Sequence, residues 1–242
     1  MKELYEDTSP PSFPPLLRGE AVPAAIDPLA KAEARGMKGA DPGLVVWSRD
    51  ETNMRVAVLF TPGIPLSRAM GGAFAMMLGA ADALGALAPP EVAVHFSWPG
   101  RLRVNGARCG VLRAAAAGHD PAAVPDWLAF ALTIPILPTG THEPGHIPDE
   151  TTLHDEGCAD IAAPRLIESF ARHMLVWMTR FEDEGLAPLH KAWCQKCDEI
   201  GTPVETPGKG LFLGLDEDGG MILRNGGETR IIPLVRLLED MP

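Results

Sequence analysis

His142, Glu143 and His146 stand at the spacing of the zinc-protease pattern HExxH, in which two histidines bind the metal and the glutamate serves as base. The pattern works only when a helix turns both histidines to one face. Pro144 and Gly145 inside it break such a helix, so no protease is expected. His142, His146, His154 and Cys158 amount at most to incidental metal ligands, and no metal site is assigned. Cys194 and Cys197 form a CxxC pair, but a structural zinc site needs two further ligands, and Cys109 and Cys158 are isolated. A thioredoxin-type pair opens a helix after a strand, whereas this pair lies inside His190–Cys197, which reads as mid-helix. Arg49, Asn53 and Arg55, in the polar connection 48–55, carry donors that suit an anion, although a solvated hairpin end is the simpler account of them.

Such groups need a scaffold, and the hydrophobic pattern supplies one. Pro10, Pro11, Pro14 and Pro15 disfavour both helix and central strand, so residues 1–18 are expected as an extended arm. Asp27 caps a helix that starts at Pro28 and runs to Arg35. Leu44–Trp47 and Val56–Phe60 read as strands. Met70, Phe74, Met77, Ala81 and Leu84 share one helical face and form a core helix. Val92, Val94, Phe96 and Trp98 alternate as the buried face of a strand, which puts His95 on the other face.

Asn105-Gly106 is a hairpin turn, with strands at Cys109–Leu112 and Trp127–Ile136 beyond it. A long helix runs from Pro164 to a stop at Gly185, and another covers Leu189–Ile200. Short strands at Leu211–Leu215, Met221–Arg224 and Thr229–Leu234 then form a small β module. The expected division is 1–203 and 204–242.

Composition removes several function classes. The 242 residues are 46% hydrophobic, ordinary for a packed protein. A net charge of -11, from 32 acidic against 21 basic residues, opposes nucleic-acid binding, since no basic run offsets it. The longest apolar stretch, Ala73–Leu87, is interrupted by Gly79, Asp82 and Gly85 and is expected to fall short of a membrane span. Met1–Asp7 is acidic and lacks the apolar core of a signal peptide, so a cytoplasmic protein with four free thiols is expected.

The segment Ser97-Trp98-Pro99-Gly100-Arg101-Leu102-Arg103-Val104-Asn105-Gly106-Ala107-Arg108-Cys109-Gly110-Val111-Leu112 resembles the central signature of biotin protein ligases and lipoate ligases. There, Lys-Trp-Pro-Asn-Asp runs through a Val-Asn-Gly hairpin to a lysine and a Gly-Ile-Leu strand. The Gly-Leu-Asp-Glu-Asp-Gly-Gly run at 214–220 is similar to the family's C-terminal module. The resemblance implies an α+β fold: a class II synthetase or biotin-ligase-like mixed sheet with helices packed on it, followed by an SH3-like β domain. It implies activation of biotin or lipoate with ATP and Mg, and transfer of the acyl group to a lysine of a biotinyl or lipoyl carrier domain, with a homodimer among the assemblies it allows. It places Trp98, Pro99, Gly100, Asn105, Gly110 and Val111 around an acyl pocket. Arg101 and Arg108 then face carboxylate or phosphate, Arg108 stands nearest the family's lysine, and Arg49 and Arg55 belong to the ligand-binding set.

Departures from the pattern fall on the chemistry. Gly100 and Arg101 replace the Asn-Asp pair, and the hairpin is one residue shorter. The connection before Val56 holds no glycine where the family has a Gly-Arg-Gly-Arg loop over the adenylate, although backbone that approaches phosphate closely usually needs glycine. Ala131-Leu132-Thr133-Ile134-Pro135 replaces Gly-Ile-Gly-Ile-Asn. Related octanoyl transferases use a cysteine thioester, for which Cys109 or Cys158 is the candidate. Arg108, however, points away from Cys109 along a strand, and a small buried residue is the plainer account. Two readings follow: a divergent acyltransferase, or a binder of a small carboxylate or acyl group that has lost ATP-dependent activation.

Overall fold

The computed structural model describes residues 9–139 and 149–239, so Met1–Asp7 and the HExxH pattern lie outside the described residues. Seven strands form the main sheet: β1 (Arg18–Val22), β2 (Leu44–Ser48), β3 (Asn53–Phe60), β4 (Val94–Ser97), β5 (Arg101–Val104), β6 (Ala107–Ala116) and β7 (Leu128–Pro135). Their order is β1-β2-β3-β7-β6-β5-β4; β1 and β2 are parallel and every other neighbouring pair is antiparallel.

Strand alternation sorts the apolar side chains onto two faces. Leu44, Val46, Ala57, Leu59, Ala129 and Ala131 face α1 (Pro28–Gly36), which contributes Leu29 and Ala32. Val45, Trp47, Met54, Val56, Val58 and Phe130 belong to the opposite, larger core. There α2 (Leu66–Ala69), α3 (Gly72–Leu87), α4 (Ala163–Glu184) and α5 (Ala187–Lys196) pack. Every residue of β2 is buried, as expected of a strand covered on both sides.

Helix α3 is buried on nearly every side, and Gly79 explains how closely α4 approaches it. A Cβ at Gly79 would lie 2.6 Å from the Met174 Cα, so only glycine fits there. Leu66–Leu87, which runs through α2 and α3, is a 22-residue stretch holding an 18-residue window of mean hydropathy 1.4, enough by length and composition alone to cross a membrane. Of its apolar window, 78% is buried inside the fold, and the Trp177 indole donates to Asp82 at 2.7 Å, so it serves as a core helix.

The C-terminal strands β8 (Pro203–Val204), β9 (Gly210–Leu215), β10 (Met221–Asn225) and β11 (Glu228–Ile232) form a separate four-stranded antiparallel sheet. Phe212, Met221, Leu223 and Ile232 nevertheless join the same buried cluster as α3 and α4. Several boundaries differ from expectation. The arm gives way at Arg18 to β1, whose polar sequence hides an edge strand. Strand β4 begins at Val94 rather than Val92. Pro233 ends β11, and Leu234–Leu238 form a 3-10 turn instead of more strand. Helix α5 stops at Lys196, which puts Cys194 in its last turn and Cys197 at its cap rather than mid-helix.

Candidate functional site

The β4–β5 connection, whose Trp98–Pro99 peptide is cis, turns back at Gly100. There the Leu112 amide donates to the Gly100 carbonyl at 2.7 Å, and a Cβ on Gly100 would lie 2.8 Å from the Leu112 Cβ. This close approach lets the turn border a cleft of about 1000 Å³, lined by Trp98, Pro99, Gly100, Arg101, Arg108 and Val111 on the sheet side. Glu199, the 202–207 segment that includes β8, Arg236 and Leu237 also line it. Trp98 is only 3% exposed, and its indole donates to the Gly219 carbonyl at 2.9 Å. It therefore forms the wall and ties down the C-terminal sheet.

The cationic groups of the cleft differ in what holds them. Arg103 lies 3.5 Å from Asp198 and 3.8 Å from Glu199, while Glu199 accepts a 2.8 Å hydrogen bond from the Ser97 hydroxyl. Arg108 pairs with Glu150 at 3.1 Å, and its Nε donates to the Asp149 carbonyl at 3.3 Å. Arg101 is exposed and has no hydrogen bond or ion pair among the described residues. Beside it Val111 is 43% exposed, an apolar surface opposite Arg101 in the β5–β6 register.

Two expected members lie elsewhere. The Asn105 side chain accepts from the Ala93 amide at 2.9 Å and donates to Glu156 at 2.7 Å, which ties down the hairpin. Gly110 sits within the sheet, where a Cβ would lie 3.0 Å from the Thr133 carbonyl oxygen.

Arg49 and Arg55 are not brought to the cleft lining either. In the β2–β3 connection, Asp50 accepts from the Thr52 amide at 2.9 Å, the Thr52 hydroxyl at 2.7 Å and the Asn53 side-chain amide at 3.1 Å. Burial opposes ionisation of Asp50, but these donors outweigh it and hold its carboxyl below the usual range. Asn53 is thereby engaged, and Arg49 is exposed without an ion pair among the described residues. Arg55 donates to the Ala24 carbonyl at 2.7 Å and lies 3.7 Å from Asp27.

Sequence reasoning missed the residue that organises this face, Arg113. Its guanidinium donates to both Asp27 oxygens, at 3.0 and 2.7 Å, while Asp27 also accepts from the Leu29 amide to cap α1. Burial raises the Asp27 pKa, yet Arg113, the Leu29 amide and Arg55 together hold its carboxyl below the ordinary range. The available signal was alternation: Arg113 follows Val111 by two residues and so shares its face.

The family's glycine-rich loop over the adenylate does not fit this connection, as its sequence suggested. It has no glycine, Asp50 closes it, and the arginines nearest it on the sheet are engaged by Asp27. The cysteines also stand apart from chemistry. Burial, reinforced by Glu156, pushes the Cys109 thiol to about 12, and burial pushes Cys197 to about 12. Burial raises Cys158 and Cys194 as well. A thiol so shifted supplies little thiolate at neutral pH. Among the described residues no group of three His, Cys, Asp or Glu is placed to hold a metal.

The profile described as "Biotin/lipoate A/B protein ligase family" matches residues 13–195, and that of a "Domain of unknown function (DUF4444)" matches residues 205–240. The chain is 46% identical to a biotin protein ligase-like protein of unknown function from Silicibacter sp. TM1040. That crystal structure aligns with a TM-score of 0.87 over 94% of this chain and 98% of the other. The biotin–(acetyl-CoA-carboxylase) ligase of Paracoccus denitrificans is 25% identical over 212 residues, 82% of this chain and 83% of that protein. Biotin protein ligase from Aquifex aeolicus, at 15% identity and a TM-score of 0.70 over 90% of this chain and 96% of the other, shares the fold.

Proposed function

Because the chain belongs to the biotin/lipoate A/B protein ligase family, we propose that it binds a small carboxylic acid, or the acyl group of a biotinyl or lipoyl carrier domain, without activating it with ATP. The carrying observation is the contrast between two sets of arginines. Arg101 stands exposed and unpaired among the described residues at the mouth of the Trp98 cleft, whereas Arg113 and Arg55 are held by Asp27. A guanidinium offers a planar pair of donors that matches a carboxylate, and the exposed Val111 beside it suits the apolar chain of the acid. Arg108 adds positive charge at the same mouth, tempered by Glu150. The residues bind and orient the acid; no bond is made or broken.

A second reading, a divergent ligase or acyltransferase that transfers the acyl group to a carrier lysine, draws support from the 25% identity to the Paracoccus ligase. ATP-dependent pyrophosphate exchange with biotin, lipoate and octanoate, run beside thermal-shift titrations of the same acids, separates the two. The binding reading expects stabilisation by at least one acid, lost in Arg101→Ala, with no exchange above background. Exchange above background overturns it in favour of the ligase, and the absence of both exchange and stabilisation overturns both.

A further inference from the structure

A second cavity, of about 910 Å³, opens at the other end of the sheet. It lies where β3 ends at Phe60 opposite Leu128 of β7. The β2–β3 connection meets the opposite end of this eight-residue strand, ~24 Å away at the usual rise per residue. We propose that this cavity binds a small molecule with an apolar body and a cationic amine or guanidine head, a site separate from the Trp98 cleft and independent of the carboxylate reading.

Three observations carry it. The floor is apolar and partly aromatic: Phe60, Phe130, Met178, Phe181 and Leu186 line it, with the Phe60 and Phe130 rings 6.0 Å apart. A volume of that size lies within the ~300–1,000 Å³ of small-molecule sites. The rim is acidic, with Glu182, Glu184, Asp216, Glu217 and Asp218 against Arg68, the single Lys or Arg among the lining residues. Arg180 already pairs with Glu184, and the Asp218 and Gly220 amides donate to Asp216. Glu182 and Glu217 are exposed, with no ion pair or hydrogen bond among the described residues. His190 also lines the cavity, and its Nε2 is buried without a hydrogen-bond partner. A buried polar atom without a partner is costly, and a turn of the ring that opened Nε2 to the cavity would let a ligand N–H satisfy it.

These features select charge as well as shape. An acid of the kind suited to Arg101 meets repulsion at the acidic rim, whereas an ammonium or guanidinium finds carboxylates around an apolar floor. The walls come from the β3 end, from α4 and α5, and from the 215–218 turn of the C-terminal sheet, so an occupant bridges both sheets.

The test is calorimetric titration of the full chain with a panel of arylalkylammonium ions led by 2-phenylethylammonium, beside neutral 2-phenylethanol and anionic 3-phenylpropionate. We expect saturable binding of an ammonium probe, at least tenfold weaker binding of the neutral one, and at least tenfold loss of ammonium affinity in Glu182→Lys/Glu217→Lys. These substitutions sit on exposed positions and leave the core untouched. Arg101→Ala should leave ammonium affinity unchanged, which places binding away from the cleft. No saturable ammonium binding up to about 10 mM, equal affinity for the neutral probe, indifference to the charge reversals, or loss in Arg101→Ala each overturns the proposal.

Discussion

Asp27 does two jobs with one carboxylate, capping α1 through the Leu29 amide and gripping the Arg113 guanidinium with both oxygens. Asp27→Asn keeps a capping oxygen but removes the charge, leaving a partly buried guanidinium without its counter-ion. Stability should fall by about 1–2 kcal/mol, read from denaturant midpoints at pH 7. Because its folded pKa lies below the usual value, the stabilisation is complete above the ordinary carboxylate pKa and is lost as pH falls through the folded one. The wild-type protein should therefore lose stability more steeply than the variant on acidification below about pH 4; parallel acid limbs would show that the pair contributes nothing. The cap itself was legible in Asp27-Pro28, because capping is local. Arg113 was not, because its partner is 86 positions away and only the sheet register brings them together.

Helix α3 shows the same division between local and distant information. Its apolar spacing made the helix readable, but Gly79 read as an interruption of an apolar run rather than the point where α4 comes closest. Gly79→Ala adds helix propensity yet drives a methyl against the Met174 backbone, which cannot move aside as a side chain can. The expected net loss is about 2–3 kcal/mol in chemical denaturation; a neutral or stabilised variant would mean that the two helices are not seated this closely. Strand β1 escaped notice because Arg-Gly-Glu-Ala-Val lacks a run of β-branched residues, and its parallel pairing to β2 comes from the returning chain. The signature from Ser97 to Leu112 indicated the hairpin and turn correctly because both are short-range structures.

For the whole molecule, the decisive question is how far the C-terminal sheet stands alone. The sequence suggested a division near residue 203, and β8 starts there, yet Phe212, Met221, Leu223 and Leu237 share one buried cluster with α3 and α4. Trp98→Phe removes the indole donor and leaves the Gly219 carbonyl without that partner, for an expected loss of about 1–2 kcal/mol. Unfolding should remain a single transition, because neither part keeps a closed core without the other. Two resolved transitions in tryptophan fluorescence and far-ultraviolet circular dichroism would show instead that the sheets melt independently.

Gly219 sits at a left-handed φ of 82°, and a Cβ there would lie 2.8 Å from the Phe74 ring. Its carbonyl is the one that Trp98 holds. Transplanting a β module from another protein onto this chain thus requires more than a matching join at residue 203: the donor must present a glycine turn of this hand against Phe74, with its carbonyl aimed at the tryptophan. Beyond their shared core, the two pieces interlock at this turn, and recombination between relatives will succeed only where Gly219, Trp98 and Phe74 are inherited together.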